Sequence, residues 1–173
     1  MDNFMVIWFT GLPGSGKTTL AKELAIKLEK LSRPCLLLDG DQVRSGVNHD
    51  LGFSESDRFE NIRRVAEMAK LTLDSNITVI AAFVSPSESI RQIARDIIGR
   101  EKMFGIYLNP SIAVCEDRDP KDMYKKARRG EIPNFTGVGS AFEPVVNPNL
   151  TIDTGNHSVE ESVQIIISAL SLT

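Results

Sequence analysis

The octapeptide GLPGSGKT, Gly11 to Thr18, constrains this chain more than any other stretch. It fits G-x-x-x-x-G-K-[ST] at every fixed position, directly after the apolar run Met5–Phe9 and just before a helical pattern. Glycines at these positions allow backbone torsions that a side chain would forbid, so successive N–H groups converge on an anion. The start of the following helix adds its partial positive charge. The stretch therefore predicts a strand, a phosphate-binding turn and a helix in that order. Gly11, Gly14, Ser15, Gly16, Lys17, Thr18 and Thr19 form the expected ATP-binding set. Lys17 is expected to reach the β- and γ-phosphates, and the Thr18 hydroxyl to bind Mg²⁺.

The rest of the chain repeats that unit. Short apolar runs at Met5–Phe9, Cys35–Leu38, Ile77–Val84, Met103–Leu108 and Leu150–Ile152 read as strands buried on both faces of a parallel sheet. Amphipathic segments alternate with them. Leu20, Leu24, Leu28 and Leu31 share one helical face, Ile62, Val65, Ala66, Ala69 and Leu73 a second, and Val159, Val163, Ile166 and Leu170 a third. The expected fold is α/β, a P-loop NTPase-type doubly wound parallel five-stranded sheet with a lid insertion. With 173 residues, 42% of them hydrophobic, the chain fits a single P-loop domain over 1–173. The lid is placed at approximately 121–148, where a short basic helix runs into Gly, Pro and Asn. Five basic and two acidic residues between Lys121 and Glu131 stand against a net charge of −3 for the whole chain.

That acidic balance argues against a nucleic-acid partner bound through a general basic surface. No apolar run approaches the roughly 20 residues that span a bilayer, and the first residues lack a signal peptide's basic region. The expectation is a cytoplasmic protein without membrane contact. Cys35 and Cys115 match no metal or redox spacing and read as buried reduced thiols, and His49 and His157 read as isolated surface residues.

The chain contains no Asn-Lys-x-Asp guanine reader, and its size with a lid-like insertion suits a small kinase. In this architecture ligands collect at the carboxyl ends of the strands. Asp39 and Asp41, in LLLDGD, arrive there together. If the chain stays extended the two carboxylates crowd each other; if a helix starts near Asp41 they separate and Asp41 becomes a cap candidate, with Arg44 one turn on.

The combination of D-G-D-x-V-R (Asp39–Arg44), D-L-G-F-S (Asp50–Ser54), D-R-x-E-N-I-R-R (Asp57–Arg64), FVSPS (Phe83–Ser87), CEDRDPKDMYKKARRGEIPNFTG (Cys115–Gly137) and SAFEP (Ser140–Pro144) resembles the adenylylsulfate kinase family. The resemblance covers most of the chain to about residue 144. It implies phosphoryl transfer from ATP to the 3′-hydroxyl of adenosine 5′-phosphosulfate (APS), giving PAPS, by a homodimer. It implies that Asp41 orients or deprotonates the acceptor hydroxyl, and that Arg44, Arg58 and Asn61 hold its phosphosulfate and ribose beside Asp39. It further implies that Phe53 and Phe135 sandwich the acceptor adenine, that Lys121 lies near the transferred phosphate, and that Arg118 stacks on the adenine of ATP. Forked guanidinium donors and exposed rings in Gly- and Asn-rich loops suit such a ligand independently of the family. One of Arg63 and Arg64 is also a candidate to reach the site.

Ser85 has two readings. Followed by a proline and by Glu88, it fits a helix cap, with substrate contact alongside it. Where the family usually reads Lys-Gly-Leu-Tyr, this chain has Lys121-Asp122-Met123-Tyr124, and where it usually reads Asp-Ser-Pro-Tyr, this chain has Gly139-Ser140-Ala141-Phe142. A same-fold kinase acting on another nucleotide-like alcohol, and a non-catalytic nucleotide-binding module, stay open as alternatives.

Overall fold

The computed structural model describes residues 4–171. Five strands form one sheet: β1 (Val6–Thr10), β2 (Cys35–Asp39), β3 (Thr78–Ala82), β4 (Met103–Leu108) and β5 (Leu150–Ile152). Every neighbouring pair is parallel, in the order β2-β3-β1-β4-β5. The strands lie within about two residues of the runs read from the sequence. The central strand shows why those runs are apolar throughout. Val6 and Trp8 pack into one core and Ile7 and Phe9 into another, so no position on β1 faces water.

Helices α1 (Lys17–Lys30) and α7 (Val159–Ala169) cover one face, and α3 (Glu55–Asp74) and α4 (Glu88–Ile98) cover the other. Leu20, Leu24 and Leu28 are buried on α1, but Leu31 falls one residue beyond the helix and is exposed. Val159 is likewise exposed at the first turn of α7, while Val163, Ile166 and Leu170 are buried. End positions continue a periodic pattern without having anything to pack on. Local chemistry fixes the helix starts. Ser54 accepts from the Asp57 amide at the head of α3, and Ser158 with Glu161 forms a reciprocal capping box on α7.

Two short helices, α5 (Ile112–Arg118) and α6 (Met123–Arg128), precede an irregular stretch that returns to β5. They do not hang free of the sheet. Cys115, Tyr124, Ala127 and Phe135 form a third small core, with Leu12 of the phosphate loop packed against it. Because β1 is central, the loop after it opens in the middle of the sheet's carboxyl edge, where connections leave in opposite directions.

Candidate active site

The phosphate loop is shaped by what crowds it. Gly14 has φ 77°, and a Cβ there would lie 2.8 Å from the Cys115 carbonyl oxygen, so only glycine fits. Gly16, at φ 94°, turns the chain into α1. Lys17 is buried and folded along the loop, its Nζ donating to the Gly11 and Leu12 carbonyls at 2.9 and 2.7 Å and to Ser15 Oγ at 3.3 Å. Burial pushes this ammonium down to about 8, while the charges of Cys115, Asp39 and Asp41 pull the other way.

The two acids at the tip of β2 separate. The helix α2 (Gly40–Ser45) starts immediately after the strand, and its cap is Asp39, not Asp41: Asp39 Oδ1 accepts from the Asp41 amide at 3.1 Å. The other oxygen of Asp39 accepts from Thr18 Oγ1 at 2.7 Å, which pins the buried carboxylate to the phosphate loop. With the cap position taken, Asp41 turns to solvent in the first helical turn. There the Lys121 ammonium, from the lid, donates to it. The glycine-rich loop, the two strand-tip acids and Lys121 thus converge.

Arg44 and Arg58 flank Phe53, their guanidinium carbons 4.6 and 5.8 Å from the ring centroid. The ring itself is 62% exposed. Arg44 Nη1 donates to the Gly52 carbonyl at 2.7 Å. All three nitrogens of Arg58 are engaged: Nε with the Phe53 carbonyl at 3.1 Å, Nη1 with Thr136 Oγ1 at 3.2 Å and Nη2 with the Asn134 carbonyl at 3.0 Å. One side chain therefore ties the Phe53 loop to the Phe135 loop. Burial lowers the proton affinity of both guanidiniums from the ordinary value, with Arg58 adding to the effect on Arg44.

Phe135 differs from Phe53 in its surroundings. It is only 9% exposed and meets Tyr124 edge-on, with centroids 5.0 Å apart at 82°. The expectation that a ring in a Gly- and Asn-rich loop avoids a core fails here, because the lid builds a core of its own. Asn61 is buried and accepts from Asn48 Nδ2 at 3.0 Å. Arg63 and Arg64 both grip Glu60, and Arg64 also reaches back to Asp50 at 2.8 Å.

Ser85 is not a helix cap. It is buried at φ 46°, and its hydroxyl accepts from Trp8 Nε1 at 3.1 Å. Ser87 precedes α4 instead, without a side-chain cap bond, and the Glu143 carboxylate accepts from the Glu88 amide at 2.7 Å. The cap comes from 55 residues away in sequence, which no local pattern announces.

Beside the phosphate loop lies a cleft of about 500 Å³, bounded by Gly16, Lys17 and Thr18 on one side and Arg118, Thr154 and His157 on the other. Arg118 is held in its wall by Thr154, through Oγ1 at 3.0 Å and the carbonyl at 2.5 Å. Thr154 Oγ1 in turn donates to the Ser15 carbonyl at 2.9 Å.

The family model for adenylylsulphate kinase matches residues 3–153. The chain belongs to that family. The adenylyl-sulfate kinase of Bacteroides thetaiotaomicron is 52% identical over 159 residues, 92% of this chain and 79% of that protein. The Mycobacterium tuberculosis APS kinase, solved in complex with AMPPNP and APS, superposes with a TM-score of 0.94 at 38% identity, covering 98% of each chain. A hexameric APS kinase from Thiobacillus denitrificans matches at 28% identity with a TM-score of 0.74, over 99% of this chain and 30% of that one.

Several residues around this cleft and at the foot of the 121–148 stretch escaped sequence reasoning. His157 is exposed, as expected, and also borders the cleft, and Thr154 links Arg118 to the phosphate loop. Arg91 is buried on α4, its guanidinium on the carbonyls of Ser85, Glu143 and Pro144. The available signal was weak: one arginine amid Ile90, Ala94 and Ile98 on the apolar face of a helix. Cys35 is half-buried and Cys115 buried, and both are free thiols.

Proposed function

We propose that this chain transfers the γ-phosphoryl group of ATP to the 3′-hydroxyl of adenosine 5′-phosphosulfate, giving ADP and PAPS. The observation that carries this reading is the convergence of Thr18 from α1, Asp39 from β2, Asp41 from α2 and Lys121 from the segment before α6 at one strand tip. A phosphoryl donor cradle on one side and an accessible carboxylate on the other are what in-line transfer to an alcohol needs.

The cleft beside Arg118 takes the donor nucleotide, with the guanidinium face against its adenine. The loop amides and Lys17 draw the phosphates into place and neutralise their charge. The Thr18 hydroxyl and the Asp39 carboxylate, 2.7 Å apart, are hard oxygen donors of the kind Mg²⁺ takes. They would hold the ion, which when bound offsets charge between the β- and γ-phosphates. Asp41 accepts the proton of the 3′-hydroxyl, and Lys121, its partner, lies where it can follow the moving negative charge.

On the acceptor side, Phe53 offers an open face for the adenine and Phe135 the opposing edge. Arg44 commits Nη1 to carbonyls and keeps the rest of its fork for the phosphosulfate, while Asn61 and Asp39 border the ribose. Arg58 orders both ring-bearing loops. Ser85, buried beneath Trp8, shapes the floor. Phosphoryl transfer in this arrangement needs no covalent intermediate on the protein.

The reaction's dependence on ATP suits the cytoplasm, and no described helix is long and apolar enough to cross a membrane. The family resemblance points to a homodimer, which sedimentation would distinguish from a hexamer. A coupled ADP-release assay against a panel of nucleotide-like alcohols tests the acceptor, with APS expected to be preferred. Asp41→Asn is expected to lower kcat by roughly 10²–10⁴-fold while ATP binding holds, the usual worth of a positioned base. Full turnover by that variant would remove Asp41 from the mechanism.

A further inference from the structure

One residue in the small core under the lid touches both halves of the site. The Tyr124 hydroxyl donates to the Pro13 carbonyl at 2.8 Å, inside the phosphate loop. Its ring lies edge-on to Phe135, 5.0 Å away. The side chain has little freedom. It is 2% exposed, and the Asp119 carboxylate accepts from the Tyr124 amide and from that of Lys125, at 3.0 and 3.1 Å.

The surroundings on each side are equally tight. A Cβ on Gly137, two residues beyond Phe135, would lie 3.2 Å from Leu12 Cδ2 and 3.6 Å from the Tyr124 hydroxyl. Gly14, next to Pro13, presses on Cys115, a member of the same core. A displacement of the Pro13 carbonyl is therefore not absorbed by slack, because close-packed side chains pass it on.

We infer that Tyr124 is a positioning residue that couples donor binding in the phosphate loop to the placement of Phe135 on the acceptor side. The inference rests on the function proposed above, in which Phe135 contacts the acceptor's adenine. Phosphates gripped by the loop amides fix the peptide units around Pro13. The Pro13 carbonyl then fixes the tyrosine hydroxyl, and the rigid ring sets the edge against which Phe135 rests. Linkage makes the effect reciprocal: acceptor on Phe135 steadies the loop that holds the donor.

Calorimetric titration of APS into wild type and Tyr124→Phe, each with and without saturating ADP, tests this. ADP cannot donate a γ-phosphoryl group, so binding is read without turnover. The phenylalanine variant keeps the ring and its packing and removes the hydroxyl, with its bond to Pro13 and its contact with the Cys115 thiol. ADP is expected to tighten APS binding to wild type, and Tyr124→Phe to reduce that tightening by roughly three- to ten-fold, the scale of one hydrogen bond. APS affinity without ADP is expected to stay unchanged. Phe135→Leu is expected to weaken APS with or without ADP and to make a second change at Tyr124 inconsequential. Equal loss of APS affinity in both conditions would reduce Tyr124 to scaffold, and intact tightening in the variant would overturn the coupling. Either result, with wild type turning over APS normally, sinks the inference alone; wild type that does not accept APS sinks the functional reading with it.

Discussion

Replacing Arg91 by methionine keeps an unbranched apolar stem and removes every donor. Arg91 is 3% exposed, and its Nη1 donates to the Ser85 and Glu143 carbonyls at 2.9 and 3.0 Å. Nη2 donates to the Pro144 carbonyl at 3.2 Å, and Nε to Glu88 Oε2 at 3.0 Å. The substitution strands three carbonyls, each worth about 1–3 kcal/mol when left without a donor. Ser85 sits deepest and stands at the upper end; Glu143 and Pro144, at the root of the lid, are nearer water and stand at the lower end. The Glu88 carboxylate is 44% exposed and regains water, so the ion pair adds little. The expected loss is about 3–5 kcal/mol, a large share of the roughly 5–15 kcal/mol that holds a domain together. For a chain of this length that corresponds to a melting midpoint lower by about 6–20 °C. Thermal and urea unfolding followed by circular dichroism would measure it. Hydrogen exchange should show the amides of Glu143 and Asn149 losing protection while those of α1 keep theirs. Arg91→Lys, which retains the charge but not the fork, should fall between the two. A methionine variant within about 1 kcal/mol of the parent would refute the reasoning, because water would then be satisfying those carbonyls.

Three further outcomes follow from the same geometry. The Lys17 ammonium, held down to about 8, is charged below that pH and neutral above it, so ATP affinity should weaken as pH rises through 8. Above that point ATP binding should take up a proton, visible as a calorimetric heat that depends on the buffer; an affinity flat across this range would contradict the placement of Lys17. Phe53→Ala should raise the acceptor KM by roughly 5–150-fold, the equivalent of about 1–3 kcal/mol of base stacking, and leave the ATP KM alone. Since the ring is mostly exposed, its melting midpoint should scarcely move, and a large drop would mark Phe53 as core. Asp122 adopts φ 53° beside the lid lysine and pairs with Lys125 at 2.7 Å in full solvent. Asp122→Gly should relieve left-handed strain at the expense of a weak, water-exposed ion pair, for a small net gain in stability. A loss of stability in denaturant titration would show that the aspartate side chain contributes more than that pair.

The departures from the family's usual lid text gain a physical meaning from the structure. Asp122 replaces a glycine at a position whose backbone is left-handed, so the chain keeps a conformation that its residue does not favour. Its carboxylate turns to Lys125 and away from Lys121, which leaves the lid lysine to Asp41. Phe142, where the family usually has tyrosine, stacks on Tyr107 with centroids 6.0 Å apart and lies under Arg91 at 5.9 Å. Phe142 thus keeps a ring packed at the root of this stretch.

By itself the sequence determined the parts that depend on neighbours along the chain. Eight consecutive residues specify the phosphate cradle, because its donors are backbone amides and its shape follows from glycine torsions. Alternating apolar runs and amphipathic stretches specify five strands and the helices that cover them. The tertiary structure alone decided where Asp39, Ser85, Arg91 and Phe135 ended up. Asp39 became the cap because α2 begins at Gly40, and that choice turned Asp41 outward to Lys121, 80 residues later. Ser85 lost its expected cap to Trp8, and Glu143 took over the head of α4. Phe135 entered a core assembled from the phosphate loop, α5 and α6, none of which adjoins it in sequence. The physical reason is common to all four. A polar side chain or a ring takes whichever partner best satisfies it once water is excluded, and that partner is fixed by packing across the fold.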